Sequence, residues 1–493
     1  MSVHEAKMGG FMKDNNKLKF TEKLAYGAGT MAEAGSSILA AFLTMFYTDN
    51  VGLAAGAVGT MLFISRIFDG ITDLIAGSML DKTKTKWGKA RPWLLWLSIP
   101  AGLSLALIFM IPQNASSTFK MAYAFITYNL YVSVLFTLVG VAKSALMPLM
   151  TQDGLERGAL AKWSLIFGLG GTLLGISVTF PFIAKLGGNI NAWRAVFGVY
   201  GFIVTAGLLF SFFFSKEHIQ SVESMQAKGA ELKANGKKYN FIDNFKNFFQ
   251  NKYFIFALVM TVLVNFAVQL NSNSQVYFYT YTMKNPLLTS SLGMVGLIPT
   301  VLSIFFLSGP SLRFFGKKKS VYIGCAGQII GFALRGFASF TMNIPLLIAG
   351  TVLCSLSTGP LSVPVNTLSA DAVDYGEYLT NRRIEGTGSA IVTFSQKISN
   401  GLASGMVGWV LAATGYVANA AQSTATNVGI TMLFAWVPLV TLGLVALSFA
   451  IFYKYDKEEK MVIEELNRRK AAAMGNVTIE NVTKTTDSKA SGR

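Results

Sequence analysis

Runs of about twenty apolar residues, separated by short polar stretches, recur along nearly the whole chain. Wound as an α-helix, a run of that length matches the hydrocarbon thickness of a bilayer. The pattern predicts twelve spans, at 24–48, 56–80, 93–112, 121–148, 160–184, 192–214, 254–283, 289–309, 319–341, 343–368, 386–415 and 427–453. A membrane β-barrel would instead show short segments of alternating polarity. The expected fold is an all-α polytopic membrane protein. A polar loop, 215–253, with seven lysines between Lys216 and Lys252, divides the spans into an N-terminal half, 24–214, and a C-terminal half, 254–453. Residues 1–23 form a polar lead, and 454–493 a tail that starts as a short charged helix and turns Thr/Lys/Ser-rich, a composition that favours disorder.

Composition agrees. The 493 residues are 52% hydrophobic and 14% charged, where a soluble protein carries about 25% charge. The net charge of +17 could suggest nucleic acid, but its distribution argues against that partner. One side of the predicted membrane holds the N-terminal lysines, the 81–91 tract, Arg157, the central loop, Arg313 to Lys319, Arg382, Arg383 and the tail; the other holds Lys120, Lys185, Arg194 and Lys284. Basic loops stay on the cytoplasmic side, so both termini are expected there, in the cell membrane. Six spans, a basic loop and six more is the layout of the major facilitator superfamily, whose site lies between two halves at the membrane midplane. Cys325 and Cys354 lie in apolar runs and read as small hydrophobes, not a disulfide. There is no Walker A, HExxH or paired CxxC sequence, and the histidines, His4 and His218, sit in polar segments. No enzyme activity and no cofactor are expected.

The unusual chemistry lies in MLFISRIFDGITDLIAGSMLDKTKTKWGKAR, residues 61–91. Asp69 and Asp73 are four apart and share one helix face, with Arg66 one turn before. A carboxylate at membrane depth is costly unless paired, hydrated or ligated, and so marks a functional site. Two acids one turn apart need a cation, a shared proton or a neighbouring ammonium. Na⁺ is a hard ion that takes oxygen ligands of this kind. The plainer reading of Asp69 is a structural pair with Arg66.

GSMLDKTKTKWGKARPW (77–93), ADAVDYGEYLTNRRIEGTGSA (370–390) and KLAYGAGTMAEAGSSILAAFLTMFYTDNVGL (23–53) resemble the glycoside–pentoside–hexuronide:cation symporter family over roughly residues 20–455. The resemblance implies a cation site built from the second and fourth helices: Asp69, Asp73 and Thr72 on one, a hydroxyl ligand at Thr137 on the other, and Lys397 of the eleventh helix beside them. It also exposes departures. Where the family's melibiose permease places sugar-binding acids, this chain has Ala34 and Gly140; where it places an arginine, the chain has Trp163, next to Lys162. Glu33 is the candidate replacement acid, with Arg66 and Lys143 as further solute contacts. Asn265, Gln269 and Asn273 form one polar stripe on the seventh helix, near Tyr277 and Tyr281, suited to a polyol or to bonds between helices. Asp81, Lys89 and Arg91 are expected in a cytoplasmic gate, with Asp371, Asp374, Glu377, Arg382 and Arg383 as partners in the other half. Arg335 is expected to reach an interface or an acid.

These features predict a monomeric secondary symporter, surrounded by membrane lipid, that imports a glycoside, oligosaccharide, pentose or hexuronide with Na⁺ or H⁺. No metal is expected beyond a coupling Na⁺. Two other readings stay open: a symporter for an amphipathic anion, bile-acid-like or sulfonated, and a membrane sensor that binds solute without moving it.

Overall fold

A computed structural model of the chain describes residues 18–83, 85–151, 153–218, 251–380 and 386–453, with a few positions between 458 and 469. Among them the helices form twelve rods. α1 comprises Phe20–Ala28 and Met31–Met45 and closes in Phe46–Asn50; α2 is Ala55–Lys82, α3 Arg91–Ile108, α4 Ser117–Met150, α5 Gly154–Lys185 and α6 Ile190–Phe214. In the second half, α7 is Lys252–Thr282, α10 Ile344–Thr380, α11 Gly386–Ala413 and α12 Thr424–Ile451. α8 and α9 lie within the continuous stretch Leu288–Thr341, divided by Gly316 at φ 73°. That left-handed backbone favours glycine.

Eight helical stretches are long and apolar enough to cross a membrane, and Leu288–Thr341 supplies two of the rods. The remaining rods are α1, broken at Gly29–Thr30, and α2 and α11, which carry Arg66, Asp69, Asp73 and Lys397. Side-chain caps set several helix starts: Ser116 accepts from the Phe119 N–H, Asn189 from Ala192, Asn251 from Tyr253 and Phe254, and Ser423 from Thr426. Each satisfies donors the helix cannot, for about 1 kcal/mol.

The two halves meet most closely at the end of the bundle opposite the chain termini, here the far end. One apolar core runs through the first half and continues into Leu270, Tyr277, Phe278, Leu288, Leu292, Ala403, Val407 and Leu411 of the second. A separate core, including Tyr253, Ala257, Cys325, Leu361 and Phe449, fills the second half toward the termini. Cys325 and Cys354 are buried and free.

α2 and α11 cross between the halves on small residues. A side chain at Gly59 would lie 2.9 Å from the Gly405 carbonyl, and one at Gly408 would lie 2.4 Å from the Ala55 carbonyl. Gly56 faces Ala412, and Gly401 faces Arg66. Close backbone approach of this kind is how membrane helices associate where no water drives them together.

At the other end, Glu217 fastens the turn before α3. Its carboxylate accepts from the backbone N–H groups of Lys89, Ala90 and Arg91 at 2.9, 2.8 and 2.9 Å. The carboxylate lies 2.3 Å from where a side chain at Gly88 would stand, and the left-handed backbone there (φ 109°) favours glycine. An anion at a helix N-terminus meets both orphan donors and the helix dipole. Glu217→Ala is expected to destabilise the protein by roughly 1–3 kcal/mol, with Glu217→Gln milder. Thermal unfolding in detergent checks this, and equal melting of the alanine variant and the native protein would refute it.

Candidate functional site

Asp69 and Asp73 face α4 and α11. Asp69 is 4% exposed, deep in the bundle. Its Oδ1 accepts from the Thr137 hydroxyl at 3.1 Å, and its Oδ2 lies 3.5 Å from both the Arg66 Nη1 and the Lys397 Nζ. The Lys397 ammonium is bonded to Asp73 and donates to the Asp69 backbone carbonyl at 2.9 Å. Arg66 also donates to the Tyr128 hydroxyl at 2.9 Å. The cluster brings two carboxylates, a hydroxyl and two cations to one place, drawn from α2, α4 and α11. The Lys397 ammonium stands between the acids. It also ties α2 of one half to α11 of the other.

Thr72 is placed differently from expectation. Its hydroxyl donates back to the Phe68 and Asp69 carbonyls of its own helix, at 3.3 and 3.1 Å. A threonine mid-helix has these carbonyls within reach. Arg66, expected at the solute, stands in the acid cluster.

A second polar cluster lies on α1, α4 and α5. The Lys143 Nζ donates to Thr30 Oγ1 at 2.8 Å, Glu33 Oε1 at 2.9 Å and Ser164 Oγ at 2.9 Å. Tyr26 covers the ammonium with its ring, 5.5 Å away. Trp163, beside Ser164, packs edge-on against Phe20 rather than reaching this cluster. Ala34 meets Gly171 of α5, and nothing lies near Gly140.

The amide stripe on α7 divides. The Asn273 amide donates to Ser404 on α11 at 3.1 Å, and the Asn265 amide donates to its own helix at Thr261. Gln269 is half-buried and its amide is free among the described residues. Tyr277 and Tyr281 serve the far end instead.

There a network joins the halves that the sequence reading did not single out. Tyr281 of α7 and Tyr416, from the loop before α12, donate to opposite oxygens of Asp49 at the end of α1. The Thr48 hydroxyl meets the Tyr277 hydroxyl at 3.0 Å, and the Asn419 amide donates to the Asp49 backbone carbonyl at 2.6 Å. The available signal was an acid within the aromatic run FYTDN at the close of the first span.

Arg91, expected to reach across the halves, donates to the Phe212 carbonyl of its own half at 2.8 Å and lies over the Phe212 ring. Glu217 holds its backbone there, so the side chain runs along α6. Asp371 pairs with Lys317 of its own half at 2.7 Å. Lys89 is buried, with its backbone on Glu217. Asp374 and Glu377 lie half-buried near the end of α10. The side chain of Asp81, and Arg382 and Arg383 altogether, lie outside the described residues. Arg335 reaches neither an interface nor an acid. It is buried, donates to Asn271 and Tyr279 at 3.3 Å each, and lies 4.1 Å over the Phe434 ring. Polar side chains and an aromatic face share its charge.

Residues 25–457 match the family described as MFS/sugar transport protein. The isoprimeverose transporter of Lactiplantibacillus pentosus is 30% identical over 468 residues, covering 92% of this chain and 93% of that protein. The glucuronide carrier protein homolog of Escherichia coli (strain K12) is 28% identical over 469 residues, covering 92% and 97%. Among solved structures, a D-xylose-proton symporter superposes with a TM-score of 0.62 at 18% identity, over 88% of this chain and 97% of that one. At that identity the likeness is one of fold.

Proposed function

Because the chain belongs to the MFS/sugar transport family, among the glycoside–pentoside–hexuronide symporters of the major facilitator superfamily, we propose that it imports a sugar or glycoside together with Na⁺ or H⁺. The observation that carries this reading is the Lys397 ammonium lodged between Asp69 and Asp73, across the two halves. Asp69, Asp73 and Thr137 hold the coupling cation, and Lys397 is its stand-in when the site is empty. Cation binding takes Asp73 from Lys397, which stays with Asp69 and its backbone carbonyl, and so loosens the tie between α2 and α11. Solute bound to both halves restores the tie, so cation and solute cross together. The coupling is reciprocal, and solute tightens cation binding by the same factor. One positive charge moving inward gains about 2.3 kcal/mol per 100 mV. At about 1.4 kcal/mol per decade, that supports roughly a fifty-fold solute gradient.

Both termini lie in the cytoplasm, and the far end faces outward. Asp49, Tyr281 and Tyr416 are then the outer latch, closed here. Tyr416→Phe removes one donor to Asp49 and is expected to raise outward opening about tenfold, since a hydrogen bond to a charged group contributes roughly 1.5 kcal/mol. Labelling of a cysteine introduced at Thr48 by an impermeant maleimide measures it, and unchanged labelling would remove Tyr416 from the latch.

The test of the whole reading is uptake in proteoliposomes of labelled glycosides, pentoses and hexuronides, under an imposed Na⁺ gradient and then a proton gradient. Accumulation above equilibrium under either gradient establishes symport and names the ion. Equilibration without accumulation would make the protein a facilitator instead.

A further inference from the structure

The wall that α1 presents between the halves carries a charge pattern that bears on which solute can bind. Glu33, Ser36, Ser37 and Ala40 are the accessible positions of mid-α1, spaced as one helical face. The opposite side is packed away: Ala34 on Gly171, Gly35 on Val204, Tyr131 and Leu105. The same helix face continues through Thr44 and Thr48, both buried, and Thr48 meets Tyr277 of the other half. The stripe therefore opens between the halves, beneath the far-end seal.

Two charges meet on this wall, and they are not equally available. The Lys143 side chain is 6% exposed, and that of Glu33 is 44% exposed. An ammonium has three donors. Those of Lys143 are engaged by Thr30, Glu33 and Ser164. Glu33 gives one oxygen to this bond; its Oε2 is free among the described residues. Arg66 and Lys397 are held in the acid cluster. Lys162 is exposed, but it lies about 200° round α5 from Ser164. The wall offers a charged acceptor and hydroxyls, and its cation is turned inward. Across the gap, the free amide of Gln269 can donate or accept.

Resting on the symport reading, we infer that Glu33, held by Lys143, selects uncharged, hydroxyl-rich solutes and excludes carboxylates and sulfonates. A sugar hydroxyl can donate to Glu33 Oε2 in a charge-assisted bond, which is stronger than a neutral one. An anion would have to give up water against a carboxylate oxygen, with only the neutral Gln269 amide across the gap and the ammonium of the wall engaged among the described residues. A polar mismatch of this kind is what rejects a near-isosteric solute. Lys143 positions Glu33 and does not itself touch solute.

The test uses matched pairs that differ only at one carbon: 4-nitrophenyl glucoside against glucuronide, and galactoside against galacturonide. The full-length protein is studied in proteoliposomes under the gradient that drives it. The neutral member of a pair should be favoured at least tenfold in kcat/KM. Glu33→Gln should raise KM for the neutral glycoside about tenfold with kcat nearly unchanged, and narrow the gap to the uronide. Glu33→Gln/Lys143→Met removes both charges together, and its melting profile separates loss of specificity from loss of fold. A uronide carried as well as or better than its neutral partner would overturn the inference and leave symport standing. A Glu33→Gln variant with native KM and native discrimination would overturn it too. Failure of every pair to accumulate under either gradient would sink the symport reading, and this inference with it.

Discussion

Replacing Asp73 with asparagine is expected to lower gradient-driven accumulation about a hundredfold. The substitution removes one of two carboxylates from the cation's position and leaves Lys397 with a single acidic partner. Breaking a buried ion pair costs about 3–5 kcal/mol, but the Asp73 side chain is 34% exposed, and solvent reduces the effect. About 2–3 kcal/mol remains, enough for a hundredfold loss. Solute exchange across a membrane without a gradient separates coupling from movement. Asp73→Asn should retain much of its exchange while losing accumulation, because the solute wall on α1, α4 and α5 is untouched. Accumulation within about threefold of native would show that the acids of α2 are not the coupling site. Asp69→Asn should be harsher and should also lower stability, since Asp69 is buried and its partners, Thr137, Arg66 and Lys397, come from three helices.

Gly408→Val should lower uptake about a hundredfold while leaving the protein folded. A side chain at this position would stand 2.4 Å from the Ala55 carbonyl and 2.6 Å from the Gly59 Cα. Both obstacles are backbone, so no rotamer change relieves them. Overpacking of this kind commonly costs about 1–3 kcal/mol even where side chains can yield. Here the cost falls on one conformation, the one in which α2 and α11 touch at the far end. The alternative, with the halves parted there, has room for the valine. A bistable bundle should therefore shift toward outward opening. An impermeant maleimide should label a cysteine placed at the buried Thr44 at least tenfold faster, with uptake down about a hundredfold. Unchanged labelling together with native uptake would show that this crossing does not limit the cycle. Gly408→Ala should fall between.

Much of this was legible in the chain. Twelve apolar runs gave twelve rods, because a span must satisfy its backbone internally and so announces itself by length. Boundaries moved where the helix runs into polar sequence: α5 begins at Gly154 rather than near 160, taking in Glu156 and Arg157. The juxtaposition of Asp69, Asp73, Thr137 and Lys397 could be reached through family resemblance, but spacing alone gave only the first two. Lys397 lies hundreds of residues from Asp73, and no local pattern reports such a pair. Lys143 was expected at the solute, and only geometry shows that its three donors are engaged by Thr30, Glu33 and Ser164. The Asp49 network was missed because Tyr277 and Tyr281 were grouped with the amide stripe of their own helix, and no local pattern links them to an acid at the end of the first span. Arg91 lies on Phe212 of its own half here, and a basic residue in a loop motif does not reveal whether its partner is the other half or the helix next door.

The acid cluster also divides the transport cycle electrically. Asp69 and Asp73 carry two formal negative charges, and Arg66 and Lys397 two positive ones, so the site with Lys397 in place is balanced. Adding a coupling cation leaves one net charge to cross the membrane field. The loaded step is then electrogenic and the empty return is not, because the empty carrier travels with its own tethered counter-ion. A negative interior hastens entry without slowing the reset. Addition of solute to a cation-loaded membrane should give a brief inward current, and the rate of empty return should be flat across voltage.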